Sequence, residues 1–135
     1  MTMQIQVSTD YAMRILQHLH FHREKLPTAK TIAQAVGVTY PFFIKLANLL
    51  KHKGLIHTAQ GRNGGYQLAR PAEEISLYDV YLAVEGDLRL NRCLGADKFC
   101  SRDAVEKCSL HRFFKTLQEN LIAELSSKSI ADFHT

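Results

Sequence analysis

The 135-residue chain has no long apolar run. Its greasiest stretch, Val36 to Leu50, is interrupted by Lys45 and falls short of the roughly 20 residues a bilayer-spanning helix needs. Residues 1–10 lack the basic start and following apolar run of a secretory signal, so a cytoplasmic protein with no membrane partner is expected. Cysteine is scarce and odd in number, and three thiols cannot close a paired disulfide framework. Acidic residues are scarce in the first half. Residues 1–72 carry only Asp10 and Glu24 against nine Lys/Arg, a net +7, whereas residues 73–135 carry eleven acids against eight bases, a net −3. The overall +4 therefore conceals a basic working surface joined to an acidic half with a different task. No internal repeat or low-complexity segment occurs. What is present in quantity is apolar side chain, 46% of residues, enough to bury one core and to exclude disorder.

The apolar pattern predicts a mainly α fold with a small β-hairpin. Tyr11, Ala12, Ile15, Leu16 and Leu19 recur at helical spacing, predicting a first helix over 9–21 with Ser8 or Thr9 as its cap. Thr28 caps a second helix with Ile32, Ala33 and Val36 as its stripe and Gly37 as its stop. Thr39 caps a third, with Pro41 in the first turn where a missing N–H costs nothing, running to Lys53 and Gly54. A small residue at 33, a glycine at 37 and a new helix within three residues form the helix-turn-helix pattern, against the plainer reading of a helical hairpin.

Two short strands follow, 55–60 and 66–69, around the turn Gly61-Arg62-Asn63-Gly64-Gly65. A hairpin directly after a recognition helix is a wing. Its glycines let backbone approach a phosphate or a narrow minor groove, and Arg62 stands at the tip. After Pro71, Ser76 and Asp79 form a capping box for a helix ending at Gly86. Residues 87–103 read as loop, and a long helix is expected from about Ala104 to Ser126. Its stripe of Leu110, Phe113, Phe114, Leu117, Leu121 and Leu125 must pack on something, and a second copy of the chain is the favoured partner. Ser129 and Asp132 form a further capping box. The division expected is 1–72 winged helix-turn-helix, 73–103 linker helix and cysteine loop, and 104–135 dimerisation helix with a terminal turn.

Cys93, Cys100 and Cys108 fall in the pattern C-x6-C-x7-C, and His111 follows three residues after Cys108. Clustered thiols in a polar loop suit metal binding or redox sensing better than core packing. The spacing is too wide for zinc knuckles and unlike the compact ferredoxin run, leaving an iron–sulfur cluster or a looser zinc site.

Taken together, these segments resemble the IscR/NsrR-type family of winged-helix iron–sulfur transcriptional regulators, the Rrf-two family. The resemblance rests on Ser8-Thr9-Asp10-Tyr11-Ala12, Ile32-Ala33-x3-Gly37-Val38, Lys53-Gly54-Leu55-Ile56, the wing 61–66 and the three cysteines before a long helix. It implies a homodimer with crossed long helices, binding to a palindromic double-stranded operator, and a cluster on Cys93, Cys100 and Cys108. The fourth ligand it implies is either His111, matching 2Fe–2S members, or the partner subunit's Asp10, matching 4Fe–4S nitric-oxide sensors. The strings around Asp10 and Asp132 rank 4Fe–4S first. The cysteines are spaced more widely than the family's C-x5-C-x5-C, and Ile44 stands where biogenesis regulators carry a base-reading glutamate.

For DNA reading, the third helix turns Pro41, Ile44, Lys45, Asn48 and His52 away from the core. Lys45 suits guanine or phosphate, Asn48 adenine, Ile44 a thymine methyl, and Thr39 and Tyr40 phosphate. Thr28, Lys51, Gln60, Arg62, Asn63 and Gly64 complete the candidate interface. The expected function is a non-enzymatic DNA-binding regulator, by family a repressor, governed by a cluster that senses nitric oxide, redox or iron–sulfur status. The alternatives are the same fold with a zinc or thiol switch, or a redox or cluster-carrier protein without the DNA role.

Overall fold

The computed structural model describes residues 4–61 and 64–133. Five α-helices and one antiparallel hairpin make up the chain: α1 (Val7–Phe21), α2 (Ala29–Val36), α3 (Tyr40–His52), β1 (Ile56–Ala59), β2 (Gly65–Leu68), α4 (Leu77–Glu85) and α5 (Ser109–Ser127). Short 3-10 turns lie at Ala72–Glu74, Arg92–Leu94, Val105–Lys107 and Ile130–Asp132.

The helix-turn-helix forms as its local chemistry dictates. The Thr28 hydroxyl accepts the Thr31 N–H at 3.2 Å and the Thr39 hydroxyl accepts the Phe42 N–H at 3.3 Å, each relieving one orphan donor of a helix start. Between them Gly37 takes φ 87°, a left-handed conformation that a side chain would resist, and its N–H closes on the Ala33 carbonyl at 2.9 Å. Phe43, Leu46 and Leu50 of α3 are fully buried against Ile15, Leu16 and Leu19 of α1 and Ile32 of α2. This core extends past the wing, since Ile75, Val80, Ala83 and Ile130 belong to the same buried cluster.

The wing is docked, not free. Ile56 pairs with Leu68 and Ala59 with Gly65, so the strands are one residue shorter at each outer end than the sequence pattern suggested. The Tyr66 N–H donates to the Pro27 carbonyl at 3.0 Å, anchoring the hairpin to the segment before α2. A Cβ on Gly65 would collide with the Leu26 carbonyl, and one on Gly64 with the Ala59 carbonyl. Backbone packing therefore requires both glycines, whatever they do toward DNA. Arg62 and Asn63 lie outside the described residues.

Two helix starts differ from expectation. α1 begins at Val7 with Gln6 as cap and no side-chain cap bond. Thr9, expected as a possible cap, is fully buried in the first turn, where its hydroxyl bonds the Glu85 carboxylate of α4. The same carboxylate accepts the Gln6 N–H at 3.3 Å, so a remote acid serves the positive end of the helix. α5 starts at Ser109, five residues later than the periodicity implied. Asp103 adopts φ 50°, residues 105–107 form a separate 3-10 turn, and Cys108 is extended as the N-cap. The capping boxes at Ser76–Asp79 and Ser129–Asp132 form as read.

On α5, Leu125 is buried, but Leu110, Phe113, Leu117 and Leu121 are 61, 59, 43 and 38% exposed. The helix spans about 28 Å, and this stripe is only partly covered by the described residues of its own chain. Ile15 and Leu19 of α1 are committed to the winged core instead.

Candidate functional site

The loop between α4 and α5 folds around a clamp. Arg92 donates both terminal nitrogens to the two oxygens of Asp97, each at 2.7 Å, and its guanidinium lies 4.8 Å from the centre of the Phe99 ring. The Phe99 N–H also donates to Asp97 at 3.3 Å. This fork-to-fork pair holds the Asp97 carboxyl down at about 2, chiefly through the Arg92 hydrogen bonds. Arg92 adjoins Cys93 and Phe99 adjoins Cys100, so the clamp shapes the segment joining the first two thiols. The loop is tied to α5 where the Leu90 N–H donates to Gln118 at 2.8 Å.

Cys93, Cys100, Cys108 and His111 line one pocket of about 250 Å³, together with Arg102 and Phe114. Nδ1 of His111 lies 3.0 Å from Sγ of Cys93. The Cys100 thiol is held below its usual pKa, first by the backbone N–H of Ala104 and then by that of Arg102. The Cys108 thiol is likewise lowered, chiefly by the backbone N–H of His111 at the start of α5. The Arg102 guanidinium donates to Sγ of Cys108 at 3.6 Å. All three thiols are free and half-buried. Among the described residues no three His, Cys, Asp or Glu side chains converge closely enough to hold a single ion. Soft donors spread around one pocket, two of them biased toward thiolate, fit a polynuclear iron–sulfur group.

Asp10 sits elsewhere in the chain. It is half exposed, paired with Arg14 at 2.9 Å, and lines a separate pocket of about 280 Å³ with Met13, Leu77 and Phe133. Within one chain the structure brings His111, and not Asp10, to the cysteines.

Pro41, Lys45, Asn48 and His52 form an exposed stripe at helical spacing along α3, flanked by Lys51. Ile44 is half-buried and packs against the core, leaving only part of its side chain at the surface. Tyr40 is 56% exposed at the start of the helix. The hydroxyls of Thr28 and Thr39 are engaged as caps, and Thr28 also donates to Thr31 at 3.0 Å. Gln60 is exposed and Gly64 half-buried at the root of the turn. Reading the sequence missed Arg102, the Arg92–Asp97 clamp and Glu85. Only the chemistry of an arginine two residues after a cysteine could have flagged the first, and no local pattern marks the others.

A family model described as Rrf2, iron-dependent transcriptional regulator, matches residues 5–135. The HTH-type transcriptional regulator NsrR of Halalkalibacterium halodurans is 37% identical over 131 residues, covering 91% of this chain and 90% of that protein. Two solved structures share the fold: IscR of T. potens, with TM-score 0.76 at 23% identity over 96% of this chain and 85% of that one, and CymR, the global cysteine regulator of B. subtilis, with TM-score 0.78 at 22% identity over 97% and 95%. With its winged helix-turn-helix and a family match spanning nearly its whole length, the chain belongs to the Rrf2 family of transcriptional regulators.

Proposed function

We propose that this regulator is a homodimeric repressor that binds a palindromic operator, and that an iron–sulfur cluster on Cys93, Cys100 and Cys108 sets its affinity. The observation that carries the reading is the gathering of three thiols and an imidazole around one pocket at the head of α5. A cluster there, when bound, supplies a centre reactive toward nitric oxide and electrons. The chain's own residues do the rest. Arg92 and Asp97 pre-shape the loop, and Cys108 caps the helix whose exposed stripe is the proposed subunit seam. His111 is the fourth donor this chain can supply itself, and Asp10 would have to come from the partner subunit. A change at Cys108 is thereby passed to α5 and to the spacing of the two DNA-reading heads. It regulates only if the two arrangements differ in operator affinity.

Toward DNA, the proposed contacts are Lys45 and Asn48 to base edges, with Tyr40, Thr28, Thr39 and Lys51 toward phosphates. The wing adds Gln60, Gly64, Arg62 and Asn63, the last two known only from the sequence. Anaerobic reconstitution followed by absorption and Mössbauer spectroscopy tests the centre. An iron-bearing chromophore is expected, and colourless protein without iron sinks the cluster. Spectra of His111→Ala and Asp10→Ala then decide the fourth ligand and, with it, between 4Fe–4S and 2Fe–2S. The second reading, a zinc or thiol switch, draws on the lowered thiols of Cys100 and Cys108. Iron-free protein whose operator affinity responds to zinc or to thiol oxidation would favour it.

A further inference from the structure

The pocket wall carries two arginines with different engagements. Arg92 is spent on Asp97 through two hydrogen bonds. Arg102 has no carboxylate partner among the described residues, and its donor faces sulfur instead: Nη2 lies 3.6 Å from Sγ of Cys108. Cys93 is paired differently, with His111 at 3.0 Å and with the Asn91 amide at 3.6 Å. The site is thus asymmetric: the Cys108 sulfur has a guanidinium and the Cys93 sulfur an imidazole.

We infer that Arg102 is a positioning residue that holds the sulfur of Cys108 and raises the reduction potential of the centre this thiol ligates. The inference rests on the cluster reading above. Hydrogen bonds and positive charge at ligand sulfurs stabilise the more negative state. Reduction adds one electron from an external reductant and changes no bond in the protein, so a fixed guanidinium favours the reduced form and raises the potential. Arginine suits the task better than lysine, because its planar fork donates along fixed directions and never loses its charge.

The test uses the full-length chain reconstituted anaerobically, with dithionite as reductant and the visible absorption followed against potential. Arg102→Gln should shift the midpoint to more negative values at unchanged iron content, with Arg102→Lys lying between it and the wild type. An unshifted midpoint in a fully loaded Arg102→Gln protein overturns the inference while leaving the cluster intact. A wild-type chain that takes up no iron overturns the cluster reading and this inference with it. Metal-free protein supplies a second readout, by mass spectrometry of iodoacetamide alkylation at fixed neutral pH. Arg102→Gln should slow Cys108 several-fold and leave Cys93 at its wild-type rate, and equal Cys108 rates in both proteins contradict the assignment.

Discussion

Thr9 and His18 are the two residues of α1 whose polar atoms are most committed to the interior. The Thr9 hydroxyl bonds Glu85 from a fully buried position, so Thr9→Val keeps the shape but removes the donor. The loss should cost about 2 kcal/mol, as for a buried hydrogen bond to a charged acceptor, and urea unfolding measures it. An unmoved midpoint would show that Gln6 alone satisfies the carboxylate. His18 stacks on His22 with ring centres 4.1 Å apart, and its Nε2 is buried without a hydrogen-bond partner among the described residues. Burial first, and the neighbouring His22 second, lower its pKa below 6.5. The unfolded chain therefore takes up this proton at higher pH than the folded one. Stability from this group is full above about 6.5 and falls as the pH drops below it, until the folded value is passed. His18→Phe should flatten that part of the profile, measured as thermal midpoints between about pH 7 and about pH 5; parallel profiles for the two proteins would refute it. Neither residue announces itself in sequence. Threonine at a predicted helix start reads as a cap, and only the approach of α4 turns its hydroxyl inward.

At the scale of elements, α5 holds the sharpest expectation. Leu117 and Leu121 stand 43 and 38% exposed along the proposed seam, so Leu117→Glu and Leu121→Glu should leave the helix content of the subunit intact. Sedimentation should find a dimer for the wild type and a monomer for the double variant, because charge placed in an apolar seam is desolvated without a partner. A double variant that still sediments as a dimer moves the seam elsewhere. Elements with a self-contained signal were legible in advance. Thr28, Thr39 and the boxes Ser76–Asp79 and Ser129–Asp132 all act within one turn of chain. The start of α5 was not legible, since Ala104–Lys107 carries acceptable helix formers. There the left-handed turn at Asp103 and the extended Cys108 prevail over propensity.

For the molecule as a whole, the charge division has a measurable consequence. A basic winged half neutralises phosphates and releases counterions, so the logarithm of operator affinity should fall steeply and linearly with that of salt concentration. Lys45→Ala should weaken binding and reduce the slope by about one if the ammonium meets a phosphate. An unchanged slope with relaxed sequence preference would assign Lys45 to a base edge instead, and fluorescence anisotropy across a salt series distinguishes the two. The sequence by itself determined the helix-turn-helix, the wing, the capping signals and the gathering of ligand-type residues in one loop. Each of these depends on spacing within a few residues, where side-chain chemistry acts directly on its own backbone. Tertiary structure alone decided which acid caps α1, why Gly64 and Gly65 are obligatory, and that His111 meets Cys93 while Asp10 pairs with Arg14. It also decided that Arg102 meets the Cys108 thiol and Arg92 an aspartate. These are contacts between segments distant in sequence, or choices among equivalent partners in a loop without periodicity. Packing and geometry settle both, and neither leaves a local pattern to read.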